Sequence, residues 1–329
     1  MSLPEQAILP ASRGWLEGTQ RLAMPALVLA VALMLAAPFL VGGYWVRILT
    51  SVYMYAVVAQ GLNVIVGFAG YHAFGNSVFF GVGAYVVGVA VTLGVPVPIA
   101  FILAPIVSML GAAIIGWPLL RLKGHYFAIA TVALNMAMGD LIINVGGVTG
   151  GAEGLPLPLG SLSPAELNRL IYYLMLGSMV ASVLLVMWLA RAPLGYALRA
   201  LRDSEVGAQV MGINTTLAKT LAWAISAGMT GFVGGIWGYW INFIEPGSAF
   251  DIGVSVNGYI MMLIGGMGSA IGPVIGAFFF EILSTAIWGQ FVKIHLLILG
   301  IVIILVVMLM PEGLLFYLQR VFRAREKRG

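Results

Sequence analysis

Two carboxylates sit inside long apolar runs of this 329-residue chain: Asp140 in "LNMAMGDLIINV" and Glu281 in "FFFEILSTAI". A charge at membrane depth is costly, so such a group usually pairs, lines a watery path or relays ions. Asn135 and Asn144 fall near Asp140 on the same expected helix. Asn63, His72 and Asn76 are polar residues of a second apolar stretch, "GLNVIVGFAGYHAFGNSVFF". Two readings of the set stand. The residues line a translocation path, or they hydrogen-bond neighbouring helices and reach water at the interface.

Other chemistry finds little footing. The three histidines, His72, His125 and His295, are isolated and lack ligand spacing, so no metal site is expected. No Ser-His-Asp order and no paired-carboxylate spacing argues for hydrolysis. An intramembrane aspartyl protease would need a second deep aspartate, and Asp251 falls in a loop. "GGMGSAIGP" has the glycines of a phosphate loop but not its Lys-Ser/Thr ending, and apolar helix flanks it. No nucleotide site is readable, so a membrane-embedded enzyme is disfavoured.

The elements that must hold these residues follow from composition. Hydrophobic residues make up 61% of the chain and charged ones 9%, with a mean hydropathy of +1.04. A soluble domain carries about 25% charged residues, and a folded surface cannot be covered without them. The expected class is an all-α polytopic membrane protein. Apolar windows give ten spans of about 20 residues or fewer, at 22–41, 48–66, 73–92, 98–119, 126–145, 170–190, 220–241, 255–267, 273–290 and 294–310. Several, notably 255–267 and 294–310, are short enough to be broken or re-entrant. The first run lacks an A-x-A cleavage site and is read as an anchor rather than a removed signal peptide. With no cysteine, disulfides and thiolate metal sites are excluded.

With both termini inside, thirteen of the 16 Lys and Arg residues fall on the cytoplasmic side, and only Arg47, Arg169 and Lys293 fall outside. That bias fixes the orientation by the positive-inside rule. The expected organisation is a cytoplasmic segment 1–21, a transmembrane body 22–310 and a basic cytoplasmic tail 311–329. A cytoplasmic loop spans 191–219, and outside loops span 146–169 and 242–254. The net charge of +4 is spread between spans and is not a nucleic-acid signal. In the first outside loop "SPAELNRL" reads as a short capped helix, with Ser163 as N-cap, Pro164 next and Glu166 third.

The 43 glycines have two readings as well. Small residues let membrane helices approach closely, and some glycines break helices where backbone faces a solute path. "VGFAGYHAFG" (66–75) and "IGGMGSAIG" (264–272) echo each other faintly, either as a duplicated half or because glycine is common in such helices.

The 191–219 loop contains "LRALRDSEVGAQVMGIN". Ser204 can cap a helix over 205–211 and Gly212 can end it in the left-handed conformation. Seven residues give about 10 Å, far too little to cross a bilayer. Glu205 suits the first turn. Val206 and Val210 share a face, with Met211 beside them. Such a helix lies on the membrane or seats in a partner's groove; a surface-lying one is rich in Lys and Arg. Here Glu205 and Gln209 occupy the polar face, which favours the partner.

Four segments, in order, resemble the branched-chain amino acid ABC transporter permeases of the LivM type. They are "GLNVIVGFAGYHAFGNSVFFGVGAY", "RLKGHYFAIATVAL" with "VTGGAEGL", "LRALRDSEVGAQVMGIN" and "GGMGSAIGPVIGA". His72 stands where that family commonly has Gln and Asn76 where it has His, and "LNMAMGD" replaces a more acidic stretch. These departures leave the solute open. The resemblance implies a type II-like ABC importer permease in a bacterial inner membrane. Its partners would be a second related permease, two cytoplasmic ATPases that bind ATP and Mg, an extracytoplasmic solute-binding protein and membrane lipid. No cofactor would reside in this chain. Asp203, Ser204, Glu205, Gly207, Ala208, Met211 and Gly212 would form the helix that docks the ATPases. Asn63, His72, Asn76, Asn135, Asp140 and Glu281 are the path candidates. Glu153, Glu166, Glu245 and Asp251 would face the binding protein. The alternative is a secondary transporter or channel driven by an ion gradient through Asp140 and Glu281.

Overall fold

A helix of 20 residues rises about 30 Å, the thickness of the hydrocarbon layer, and bonds all its backbone groups internally. The computed structural model describes residues 33–122, 124–158 and 163–290, with scattered positions between 297 and 317. Much of the expected 22–41 and 294–310 spans, and all of segment 1–21, lies outside the described residues. The eight expected spans between them are each met by an apolar helix. α1 is Gly43–Leu62, prolonged by a π-helical turn Asn63–Phe68; α2 is Asn76–Thr92, α3 Val97–Leu119 and α4 His125–Asn144. α5 is Pro164–Arg191, α6 Pro193–Asp203, α7 Glu205–Val210 and α8 Thr215–Ile241. α9 is Ile252–Gly265 and α10 Gly272–Gln290. Among the described residues six stretches are long and apolar enough to cross a membrane, while Asn76–Thr92 and Gly272–Ile287 are shorter.

The capping residues act as the sequence indicates. The Ser163 hydroxyl accepts from Glu166 N–H at 3.3 Å, and the Glu166 carboxylate accepts from Ser163 N–H at 2.9 Å. The helix so begun is not short: it runs 28 residues to Arg191. No proline interrupts 165–191, and the apolar run from Leu170 carries the first turn straight into the span.

α8 is the central helix, and glycines set its distance from α2 and α3. A Cβ at Gly83 of α2 would overlap the Gly231 carbonyl, one at Gly234 the Phe80 carbonyl, and one at Gly231 the Ser108 hydroxyl. In α9 and α10, Cβ atoms on Gly265 and Gly276 would likewise meet backbone. Close packing is therefore the role of these glycines. Gly70 (φ 75°), Gly266 (φ 117°) and Gly268 (φ 76°) instead adopt positive φ at the two places where helices stop.

Loops expected on one side of the membrane meet one another. At one end Leu155–Pro156 (β1) pairs antiparallel with Phe243–Ile244 (β2), Trp240 Nε1 donates to Asn168 Oδ1 at 2.9 Å, and the Arg47 guanidinium lies 5.5 Å from the Trp240 ring. At the other end the 191–219 loop meets residues 67–72.

Candidate functional site

The expected 191–219 loop holds two helices, and its last five residues, 215–219, already belong to α8. Pro193 opens α6, which buries Gly195, Leu198 and Leu201 and presents Arg202 in its last turn. Ser204 then caps α7, its hydroxyl accepting from Gly207 N–H at 3.1 Å, and Gly212 closes the turn at φ 82°. The knob's apolar face is bare: Val206, Val210 and Met211 are 66%, 83% and 68% exposed. Of the residues assigned to docking, Asp203, Ser204 and Gly212 are exposed, Gly207 is half-buried and Ala208 is fully buried. Ala208 therefore serves the seat of the knob rather than its outward face.

Glu205 also turns inward. Its Oε1 accepts from Lys219 Nζ at 2.6 Å and its Oε2 from Tyr71 Oη at 2.7 Å, while Lys219 also donates to Tyr71 Oη at 2.8 Å. The three groups close a ring of charge-assisted hydrogen bonds, stronger than neutral ones. Lys219 lies in the second turn of α8 with its side chain 5% exposed, against 20% for Glu205. Burial, then the Glu205 hydrogen bond and charge, push the Tyr71 phenol well above its ordinary pKa, so it stays a donor.

Arg202 makes a second tie. The π-helical turn ends α1, and its last carbonyls lose their helical acceptor role. Arg202 Nη1 donates to Gly67 O at 2.6 Å, a cation at a helix C-terminus. A Cβ at Gly70 would touch the Arg202 side chain, and one at Gly268 would lie 3.5 Å from Arg202 Nη1. Arg202 thus sits where the two breaks converge.

The breaks join each other too. Gly268 N–H donates to Asn63 Oδ1 at 2.7 Å, Asn63 Nδ2 donates to Ser269 O at 2.8 Å, and Gln60 Nε2 donates to Ala270 O. The two glycine-rich segments that echo each other in sequence are therefore neighbours in space.

Between the knob and the first break lies a cavity of about 360 Å³ lined by Tyr71, His72, Phe74, His125, Arg202 and Glu205 among others. Residues 69–74 cross here without helical structure, which membrane proteins tolerate where backbone is buried or lines a cavity. Phe74 N–H finds Thr131 Oγ1 at 3.1 Å. Partial burial, then the neighbouring His125, hold the His72 imidazole below its ordinary pKa.

Among the path candidates, His72 reaches this cavity. Asn63, Asn76 and Asn135 are buried. Asn76 Nδ2 donates to Ser226 Oγ at 2.7 Å; Asn135 Nδ2 donates to Phe250 O at 2.6 Å, and Asn135 Oδ1 accepts from Ser77 Oγ at 2.9 Å. Asp140 is exposed near the end of α4, its backbone carbonyl accepting from Asn144. Glu281 is half-buried on α10. At the ribbon end Glu153, Glu166, Glu245 and Asp251 are exposed, with Glu166 and Asp251 also capping α5 and α9. The sequence reading missed Tyr71, Arg202 and Lys219 as a set. The available signal was Lys219 itself, a lone cation just inside an apolar helix.

A body of close-packed apolar helices, broken on one side and carrying a capped knob there, defines a polytopic membrane protein. The branched-chain amino acid transport system / permease component family matches residues 44–307, and the chain belongs to it. It is 30% identical to the high-affinity branched-chain amino acid transport system permease protein LivM of Salmonella typhimurium, over 94% of this chain and 77% of that one. Identity to the LivM protein of Escherichia coli is 29% over the same shares. The autoinducer 2 import system permease protein LsrC of Salmonella paratyphi B is 26% identical over 68% of this chain and 67% of its own. No solved structure matches the chain.

Proposed function

We propose that this chain is the membrane-spanning permease subunit of an ATP-driven, binding-protein-dependent importer for branched-chain amino acids or related small polar solutes. Two partner ATPases bind ATP and Mg and press on the knob, while a second, related permease completes the path. The solute-binding protein docks at the ribbon end, near Glu153 and Glu245. On the charge bias of the loops the knob faces the cytoplasm, as do both termini. Transport is by alternating access. A motor biases this equilibrium only if it contacts the knob differently in the two states.

The observation that carries this reading is the exposed Val206–Val210–Met211 face on a helix too short to cross a membrane. An exposed apolar face marks a protein or a membrane interface, and residues 204–212 carry no Lys or Arg to hold them on a membrane surface, which favours the protein. The relatives named as import or transport permeases support it. The ion-gradient alternative would run through Asp140, in the last turns of α4, and Glu281, half-buried on α10. Co-expression with its operon neighbours tests the reading: affinity purification of this chain should bring down ATPases in a stable complex. A chain that purifies without them, yet catalyses solute flux, overturns it.

A further inference from the structure

Beside the buried Ala208 and a Gln209 Nε2 bond to Thr215 Oγ1 at 3.2 Å, two ties that differ in chemistry run from the knob and the end of α6 to the same broken segment. One is the ring of Glu205, Tyr71 and Lys219. The other is the Arg202 bond to Gly67 O. Both fall within six residues on the knob side, 67 and 71 flank the helix break on the other, and the segment they grip lines the cavity. Ser204 is the single extended residue between α6 and α7, and Gly212 ends the knob in a left-handed turn, so the ties add to what the chain itself fixes. With both ties closed, the knob, the end of α1 and the start of α8 move together.

We propose that Tyr71, Arg202 and Lys219 are positioning residues that clamp the knob to the broken segment 67–75, turning knob displacement into opening and closing of the cavity. The tie to Tyr71 is the sharper half. A phenol that donates to Glu205 while accepting from Lys219 has no equivalent in phenylalanine, although the ring and its packing on Phe127, at 5.7 Å between centroids, are unchanged. Glu205 and Lys219 keep each other's charge satisfied in that variant, so the loss falls on the link rather than on the fold. This inference rests on the proposed ATP-driven function, and its test separates the two.

The complete complex is reconstituted in proteoliposomes with its ATPases, second permease and binding protein, and a mixture of radiolabelled leucine, isoleucine and valine is supplied. Failure of the wild-type complex to accumulate solute with ATP counts against the proposed function. Given wild-type uptake, Y71F should assemble normally and hydrolyse ATP within about twofold of wild type, but move at least fivefold less solute per ATP. An unchanged ratio overturns the clamp. Because the chain has no native cysteine, a second variant, Y71C/E205C, can be bridged by a short bis-thiol reagent. It should be uncoupled when free and regain coupling when bridged, since a clamp works closed. Coupling that is intact before bridging, or lost further by it, overturns the clamp even if Y71F proves unstable.

Discussion

Asn63 and Gly268, 205 residues apart in the chain, share a hydrogen bond of 2.7 Å in which the backbone N–H of one helix break donates to a side chain of the other. The Asn63 amide returns a bond to Ser269 O, so a single buried residue satisfies two backbone groups of a turn that has no helix to satisfy them. Backbone left unpaired away from water costs about 1–3 kcal/mol per group.

Asn63→Ala leaves both groups unpaired and should therefore lower stability by about 2–6 kcal/mol. Asn63→Asp should lower it at least as much, because a carboxylate buried there keeps the Gly268 N–H but sets a second oxygen against Ser269 O. Thermal unfolding followed by tryptophan fluorescence in detergent reads this as a fall in Tm for both variants.

Packing of α8 on α2 gives a paired prediction. Gly83→Ala places a methyl on the Gly231 carbonyl, and overpacking of this kind costs about 1–3 kcal/mol or more. Gly111→Ala on α3 meets nothing within 4 Å and should stay within about 1 kcal/mol of wild type, helped by alanine's helix propensity. The same fluorescence melt should show a clear loss for the first and little change for the second.

Val210 is among the most exposed apolar side chains described, at 83%. Val210→Asp should leave the melt of the isolated chain unchanged and reduce ATPase recovery in co-purification by tenfold or more. Loss of the cap in Ser204→Ala should cost about 1 kcal/mol locally and reduce recovery less.

His72 supplies a pH test. Its folded-state pKa lies below the unfolded value of about 6.5, so below that pH the unfolded chain binds more protons. Stability at this site is thus present above pH 6.5 and lost as pH falls. Lowering pH from 7.5 to 5.5 should depress the Tm of wild type more than that of His72→Gln. The other titratable groups lining the cavity, His125, Tyr71 and Glu205, are common to both proteins.

The apolar helices between 43 and 290 and the caps were legible because each is written locally. Ser163, Ser204 and Gly212 announce themselves by residue type and spacing, and eight apolar runs met eight helices. Partnership was not legible. Asn135 and Asp140 read alike in sequence, yet one is buried against Phe250 and the other is exposed, because periodicity marks a face without naming its neighbour. Glu205 looked outward on a helical wheel; the cation that turns it inward lies fourteen residues downstream, on a different helix. The "SPAELNRL" helix was cut short for a similar reason, since its polar first turn masks continuity with the span behind it.

Vesicle reconstitution of this chain by itself, beside the same chain with its ATPases, second permease and binding protein, tests the central claim most directly. Uptake of labelled branched-chain amino acids against a gradient should occur in the complete complex with ATP and be absent from the chain by itself, with or without an imposed proton or sodium gradient. Uphill accumulation by the lone chain would contradict the account.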